Sequence, residues 1–375
     1  MFKIKVMTVV GTRPEIIRLS ETIKKLDKYC NHIFVHTGQN YDYELNQIFF
    51  EDLQLRKPDY FLEVKSNTLG EQISKIIEKT EKIILKEKPD AFLVLGDTNS
   101  ALSAIIAKRY HIPVFHLEAG NRCFDERVPE ELNRRIVDHI SDVNFCYSEN
   151  ARHYLLKEGL PAGKIFVSGS PMAEVIEVNK EKILNSTILE KLKISKNKYF
   201  VVSCHREENV DNKENLLQFY NLIIKLTEKY KYPIVITLHP RTKKRLKKIN
   251  SKFNEMVILS KPFNFSDYNN LQINAYCVIS DSGTIFEEAA ILNFPAIVIR
   301  ESTERPEALD TGSAIQTGLN VENVLNAIEL VRNTFSIKKE WSIPDDYKPT
   351  NFSDRVVKFI IGQANILKNK EIIKW

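Results

Sequence analysis

The sequence predicts an α/β protein built from two Rossmann-like, doubly wound parallel sheets. Three observations lead there. Short β-rich apolar runs alternate with amphipathic helical segments, as parallel strands joined by helical crossovers require. The alternation starts afresh near residue 199. A turn-forming Ser-Gly-Ser-Pro stretch, residues 168–171, separates the two series. A length of 375 residues fits two to three domains at ~150 residues each. The expected division is 1–169 and 170–353, with a last helical segment, 354–375, returning to the first domain.

Residues 3–10 form a β-rich run that stops at Gly11. Pro14 then suits the first helical turn, where its missing N–H costs nothing. Residues 32–37 read as a second strand. A helix over 71–88 shows Ile73, Ile76, Ile77, Ile83 and Ile84 at helical spacing, and Pro89 stops it. Strand 91–95, helix 98–109, strand 113–117 and short strands 143–147 and 165–167 follow. The second series offers strands 199–204, 233–238, 257–259, 277–280 and 296–299, with helices such as 212–229 and 284–292 between them. In the last helix, 354–367, Val356, Val357, Ile360 and Ile361 need a partner surface. The basic cluster Arg241, Lys243, Lys244, Arg245, Lys247 and Lys248 reads as a solvated helix face.

Composition removes several classes. Lys and Arg number 54 against 49 Asp and Glu, and this net +5 is spread along the chain, unlike the concentrated charge of a nucleic-acid binder. No apolar run approaches the ~20 residues that span a bilayer. The N-terminal MFKIKVMTVVGTRPE reads as a strand and not as a signal peptide. Cysteines at 30, 123, 146, 204 and 277 form no CxxC pair, so neither a disulfide framework nor a zinc site is expected. The expected compartment is the cytoplasm.

Ligands of doubly wound sheets bind at the carboxyl ends of the strands, so the polar residues there are the candidates. The first series offers Gly11-Thr12-Arg13-Pro14-Glu15, Gly96-Asp97-Thr98-Asn99 and the run from His116 to Arg122, with Arg127-Val128-Pro129-Glu130-Glu131 opening the next helix. None is a dinucleotide or P-loop fingerprint. Asp97, Glu118 and Glu130 could do acid–base work. Asp97 could equally cap its helix, and Glu130 could simply serve the helix dipole. The second series offers Cys204–Asn209, His239-Pro240-Arg241, and Ser280-Asp281-Ser282-Gly283-Thr284 running into a helix with Glu287 and Glu288. Ser282, Gly283 and Thr284 suit an anion, through N–H groups, hydroxyls and the helix dipole; a plain cap would look the same. Glu288, one turn in, could accept from ribose hydroxyls. His205 stands at a strand end, whereas His36 and His116 read as structural.

GTRPE, LGDTNS, HLEAGNR, VPEELNR, HREENV, SDSGTIFEEA and RESTERPEA occur in this order along nearly the whole chain. Together they resemble the non-hydrolysing UDP-N-acetylglucosamine 2-epimerase family. The resemblance implies an isomerase with a glycosyltransferase-B-like pair of domains and a UDP-sugar in the cleft between them. It implies no cofactor and no metal, and it suggests a homodimer. Arg13 and Arg305 match cationic nucleotide contacts, Ser282, Gly283 and Thr284 the diphosphate cradle, Glu288 the ribose contact, and Tyr268 the uracil neighbour. Asp97, Glu118 and Glu130 match the acids of C2 proton transfer, and His205 a histidine near the phosphates. Arg18 stands where UDP-N-acetylglucosamine epimerases carry lysine, a fork in place of a point charge. Gln39-Asn40-Tyr41 departs from the segment that binds an activating UDP-sugar in some members, so such activation is not expected.

The strings VMTVVGTRPEIIRLS, HTGQNYDYELN and AGNRCFDERVPEE resemble one bacterial branch more closely. That branch epimerises UDP-2-acetamido-2,6-dideoxy-β-L-talose to UDP-N-acetyl-L-fucosamine for capsule and O-antigen. Asn121, Arg122, Cys123 and Phe124 are then the expected specificity loop. A C2 hydrogen beside an acetal carbon and an amide nitrogen is not acidic, so the implied route is elimination of UDP to a 2-acetamidoglycal and re-addition. The competing readings are the UDP-GlcNAc/UDP-ManNAc 2-epimerase itself, a hydrolytic relative, a non-catalytic UDP-sugar sensor and a glycosyltransferase, which the fold alone does not separate.

Overall fold

Parallel strands carry helices on both faces, so their residues are buried in unbroken runs. Strand β1 (Lys5–Val10) shows this, with five consecutive buried positions after Lys5. The computed structural model describes residues 3–38, 43–238, 240–249, 253–338 and 342–371. The chain divides into two units, Met1–Val178 with Lys348–Trp375, and Asn179–Tyr347.

In the first unit β1 is followed by α1 (Arg13–Tyr29), β2 (Asn31–His36), α2 (Tyr43–Asp52), β3 (Tyr60–Phe61), α3 (Leu69–Glu87) and β4 (Ala91–Leu95). Then come α4 (Ala104–Arg109), β5 (Val114–Ala119), α5 (Glu130–Ile140), β6 (Val143–Cys146), α6 (Glu149–Lys157), β7 (Ile165–Val167) and α7 (Met172–Val178). The seven strands pair in the order β3-β2-β1-β4-β5-β6-β7, all parallel. The strand order reverses between β1 and β4, the switch point at which such sheets open a crevice.

Helix α3 starts where Thr68 accepts from the Glu71 N–H and buries Ile76, Ile83 and Ile84. The helix expected over 98–109 is instead a 3-10 turn, Asn99–Ser103, followed by α4. The serines explain the break. Ser103 Oγ donates to the Ser100 carbonyl and Ser100 Oγ to Glu15, so local side-chain bonds compete with the α-helical pattern.

The second unit runs α8 (Lys180–Leu184), α9 (Ile188–Leu192), β8 (Phe200–Ser203), α10 (Glu207–Val210), α11 (Lys213–Tyr230), β9 (Ile234–Thr237) and α12 (Pro240–Lys248). It continues through β10 (Val257–Ser260), α13 (Phe265–Ile273), β11 (Cys277–Ser280), α14 (Ile285–Leu292), β12 (Ala296–Val298), α15 (Pro306–Asp310), β13 (Ile315–Gln316) and α16 (Val321–Lys338). Its parallel strands lie in the order β10-β9-β8-β11-β12-β13. On α12, Lys243, Lys244 and Lys248 are exposed and Arg245 pairs with Asp211 at 2.8 Å, so the basic cluster is a solvated face. The side chains of Arg241 and Lys247, the residue His239 and the segment Gln39-Asn40-Tyr41 lie outside the described residues.

Helix α17 (Phe352–Glu371) belongs to the first unit. It buries Val356, Val357, Ile360 and Ala364, while Ile361 is exposed, contrary to the face the sequence suggests. Its first turn is held by Glu174, which accepts from Ser353 N–H at 2.7 Å and Ser353 Oγ at 2.5 Å. That contact, and the packing of α7 on α1, put the boundary at Val178 and not at the expected 169: α7 is part of the first unit's wall. Among the described residues no helix is long and apolar enough to cross a membrane.

Candidate active site

In the first unit, β4 and β5 pair through Leu95 and Leu117, so the segments carrying Asp97 and Glu118 leave the sheet side by side. At Glu118 the register of β5 slips by a bulge, and Glu118 itself takes a left-handed φ of 65°. A non-glycine residue in that region stores about 1–3 kcal/mol of strain, and bulges re-aim side chains beside functional sites. The carboxylate meets Arg18 Nη1 at 2.6 Å and accepts from Asn121 Nδ2 at 3.2 Å. A Cβ on Gly96 would lie 3.3 Å from Glu118 Oε2, and Gly96 has φ 68°, so two constraints favour glycine there. Asp97 pairs with Arg134 Nη2 at 2.5 Å, and Asn133 donates to the Asp97 carbonyl at 2.9 Å. Arg134 also reaches Glu131 at 3.0 Å. Glu130 is the half-buried first residue of α5. Arg134, one turn further along α5, lay in the VPEELNR string, but nothing in the linear sequence tied it to Asp97.

Two buried carboxylates fix these loops from beneath. Asp138 accepts from Gly120 N–H at 3.2 Å, lies 2.9 Å from His116 Nδ1, and pairs with Arg122 Nη1 at 2.7 Å. His116 Nε2 reaches the Gly96 carbonyl at 2.8 Å, so one side-chain chain ties the β4 end to the β5 end. Burial alone would raise the Asp138 carboxyl; His116 and Arg122 overrule it and hold it below the usual carboxylate range. The second carboxylate is Glu15, in the first turn of α1. It accepts from Gly11 N–H at 3.1 Å, Thr12 Oγ1 at 2.7 Å, Thr98 Oγ1 at 3.2 Å and Ser100 Oγ at 2.5 Å. No cation pairs with it among the described residues. Burial pushes it up to about 7 against the lowering effect of those donors.

The expected specificity loop divides in two. Arg122 is fully buried, forked onto Glu158 at 2.8 Å through Nε and Nη2 as well as onto Asp138, so it anchors the loop and faces no solvent. Asn121 is also buried, on Glu118. Cys123 is half-buried, its Sγ 3.3 Å from Glu131 Oε2. Phe124 is 64% exposed at φ 53°, edge-on to Tyr154 at 5.1 Å, so it lies outside the core. Arg13 stacks over Phe49 at 5.5 Å and the buried Arg18 over Tyr147 at 5.5 Å.

In the second unit, β8 and β11 end together at Ser203 and Ser280, whose hydroxyls lie 2.6 Å apart. Beyond them His205 Nδ1 lies 3.0 Å from Asp281. Ser282 Oγ and Thr284 Oγ1 are 3.0 Å apart at the start of α14. A Cβ on Gly283 would sit 2.9 Å from Glu304 Oε1, 3.6 Å from Arg300 Nη1 and 3.7 Å from Arg206 Nη2, so two guanidinium groups face this turn. Arg300 is fully buried. Its Nη1 lies 3.0 Å from Glu304 Oε2, but none of its three nitrogens makes a well-formed hydrogen bond. Arg206 lay in the candidate stretch Cys204–Asn209 without a role, and Arg300 was not singled out; their neighbourhood in space brings them to this turn. Arg305 is buried with Nη2 3.6 Å from Glu287. Glu288 is buried and accepts from Gln272 Nε2 at 2.7 Å, one turn from the half-buried Tyr268 on α13.

Residues 24–361 match the family model described as UDP-N-acetylglucosamine 2-epimerase. The chain belongs to the UDP-N-acetylglucosamine 2-epimerase family. It is therefore an isomerase of the nucleotide-sugar 2-epimerase type. The UDP-N-acetylglucosamine 2-epimerase of Methanocaldococcus jannaschii is 40% identical over 349 residues, 91% of this chain and 94% of that protein. The UDP-2,3-diacetamido-2,3-dideoxy-D-glucuronate 2-epimerase of Pseudomonas aeruginosa is 33% identical over 84% of this chain and 88% of its own. Among solved structures, the Rickettsia bellii UDP-N-acetylglucosamine 2-epimerase superposes with a TM-score of 0.90 at 48% identity, covering 98% of both chains. The M. jannaschii enzyme in complex with UDP-GlcNAc and UDP gives 0.89 at 38% identity, over 95% of this chain and 99% of that one. These family members have the two-domain, glycosyltransferase-B-like architecture that the sequence predicts.

Proposed function

We propose that the chain inverts C2 of a UDP-2-acetamido sugar by eliminating and re-adding UDP. The observation that carries the reading is the bulged, ion-paired Glu118 beside Asp97. In the forward half-reaction the C1–O bond breaks and its electron pair leaves with the β-phosphate of UDP. A carboxylate takes the C2 proton, and the C2–H electron pair becomes the C1=C2 bond of a glycal. In the return half, C2 is protonated on its other face and the UDP oxygen rebonds to C1. Asp97, Glu118 and Glu130 are the acids and bases of this scheme.

UDP must be held while it is unbonded. Ser282, Gly283 and Thr284 offer hydroxyls and N–H groups at a helix start, with Arg206 and Arg300 beside them. A diphosphate there would supply acceptors for the Arg300 N–H groups that lack them. His205 attends the phosphates, Glu288 the ribose and Tyr268 the uracil. Arg13 and Arg305 add positive charge, and Arg18 orients Glu118.

The substrate we propose is UDP-2-acetamido-2,6-dideoxy-β-L-talose, in a homodimeric, cytoplasmic enzyme serving capsule or O-antigen synthesis. The support is the loop following Glu118, where Phe124, edge-on to Tyr154 of α6, offers an apolar surface to a 6-methyl group. UDP-GlcNAc is the second reading, favoured by the names of the M. jannaschii and R. bellii relatives. An NMR assay of both nucleotides in D2O tests the whole proposal. The product should carry deuterium at C2, and 18O in the C1–O–P bridge should scramble to non-bridging positions. Hydrogen retained at C2 would rule out elimination, and equal kcat/KM for the two sugars would overturn the deoxy assignment. One group in an apolar pocket is worth ~1–3 kcal/mol, so the deoxy substrate should lead by roughly 10-fold or more.

A further inference from the structure

Asp281, the residue after β11, is fully buried, and its carboxylate meets His205 at both the backbone and the ring. The His205 N–H donates to both carboxylate oxygens, at 3.1 and 2.9 Å, and His205 Nδ1 lies 3.0 Å from Oδ1. The Arg206 N–H donates to Oδ2 at 2.9 Å. Asn209 Nδ2 donates to Oδ2 at 3.1 Å and also to the Ile299 carbonyl at 3.1 Å, which fixes the carboxylate plane. One carboxylate thus holds both the backbone and the ring of His205. Burial alone would raise Asp281; the His205 ring and these N–H donors outweigh it and hold the carboxyl far below the usual range. An ionised carboxylate only accepts, so Nδ1 carries a proton and any proton the ring exchanges passes through Nε2.

We infer that Asp281 is a positioning residue for the epimerase reaction, fixing the ring plane and tautomer of His205 so that Nε2 is the nitrogen that meets the substrate. The inference rests on the proposed placement of His205 beside the phosphates. An asparagine at 281 would keep one oxygen for the backbone donors but could offer its NH2 to Nδ1, driving the ring proton to Nε2 and the ring into the wrong tautomer.

The test uses the full chain and three readings. In 15N NMR of the wild-type protein, with His205 assigned against His205→Asn, the neutral ring should be the Nδ1–H tautomer; an Nε2–H ring overturns the inference and needs no variant that could misfold. Asp281→Asn should lower kcat by about 100-fold or more with KM nearly unchanged; a folded variant with wild-type kcat overturns it. The double variant Asp281→Asn/His205→Asn should be no slower than His205→Asn alone, and an additive loss would show that Asp281 acts through something else. If the wild-type chain epimerises no UDP-sugar, the proposed function fails while the tautomer reading still decides the Asp281–His205 coupling.

Discussion

Replacing Glu15 by glutamine should change how the first unit's stability depends on pH. Glu15 keeps its proton in the folded protein up to about pH 7, against an ordinary value of 4.5. Between those values the folded state binds more protons than the unfolded state, so stability falls as pH rises and the full cost is present above pH 7. At ~1.4 kcal/mol per pH unit the interval is worth on the order of 3 kcal/mol. The glutamine side chain does not titrate. Its amide serves one fewer of the four donors on Glu15, a loss of roughly 1 kcal/mol that is the same at every pH. The stability of Glu15→Gln relative to wild type should therefore rise by about 3 kcal/mol from pH 4.5 to pH 8. Urea unfolding at a series of pH values measures this directly. In a thermal scan the same difference is roughly 6–12 °C for a unit of this size. Parallel stability–pH curves for the two proteins would refute the account of Glu15 as a buried carboxylate without a cation.

Asp97→Asn, Glu118→Gln and Glu130→Gln should each lower kcat by about 10²–10⁴, with UDP affinity by calorimetry little changed. Gly283→Ala sets a methyl against Glu304 and the Arg300 and Arg206 guanidinium groups, so UDP should bind at least ~10-fold more weakly while the melting temperature stays within a few degrees. Asp138→Asn removes the charge that neutralises Arg122 in the first unit's interior and weakens the contact with His116 Nδ1. It should cost about 3–5 kcal/mol in denaturant unfolding, far more than any of the three active-site amides.

Strands with continuous apolar runs were legible because a parallel sheet buries both faces: 91–95 and 277–280 are buried throughout and stand where the sequence puts them. The break at Asn99–Ser103 was not, because it depends on where serine hydroxyls find acceptors, and one of them, Glu15, lies 85 residues away. The same limit applies to the site. Asp97, Glu118 and His205 could be singled out by their place at strand ends. Their pairing with Arg134 and Asp281 could not, although Asp281 itself stood in a candidate stretch, since a contact is a relation in space. Nor does a sequence announce a bulge: Glu118 reads like any strand-end acid until its left-handed backbone is seen. Phe124 shows the converse, an aromatic that hydropathy would send inward and that the loop instead holds out to solvent.

Helix α17 completes a unit whose segment Met1–Val178 is synthesised before the second unit. The second unit is continuous, so on the ribosome it can finish folding while the first still lacks a wall. Until α17 arrives, Phe145 and Phe166 show water the rings that Phe359 will later meet at 5.3 and 4.4 Å. A nascent chain therefore passes through a stage in which the earlier-made of these two units is the less finished, with an aromatic surface open to chaperones or to other nascent chains. A stop codon placed after residue 347 would leave the later-made unit whole and strip the earlier one of α17.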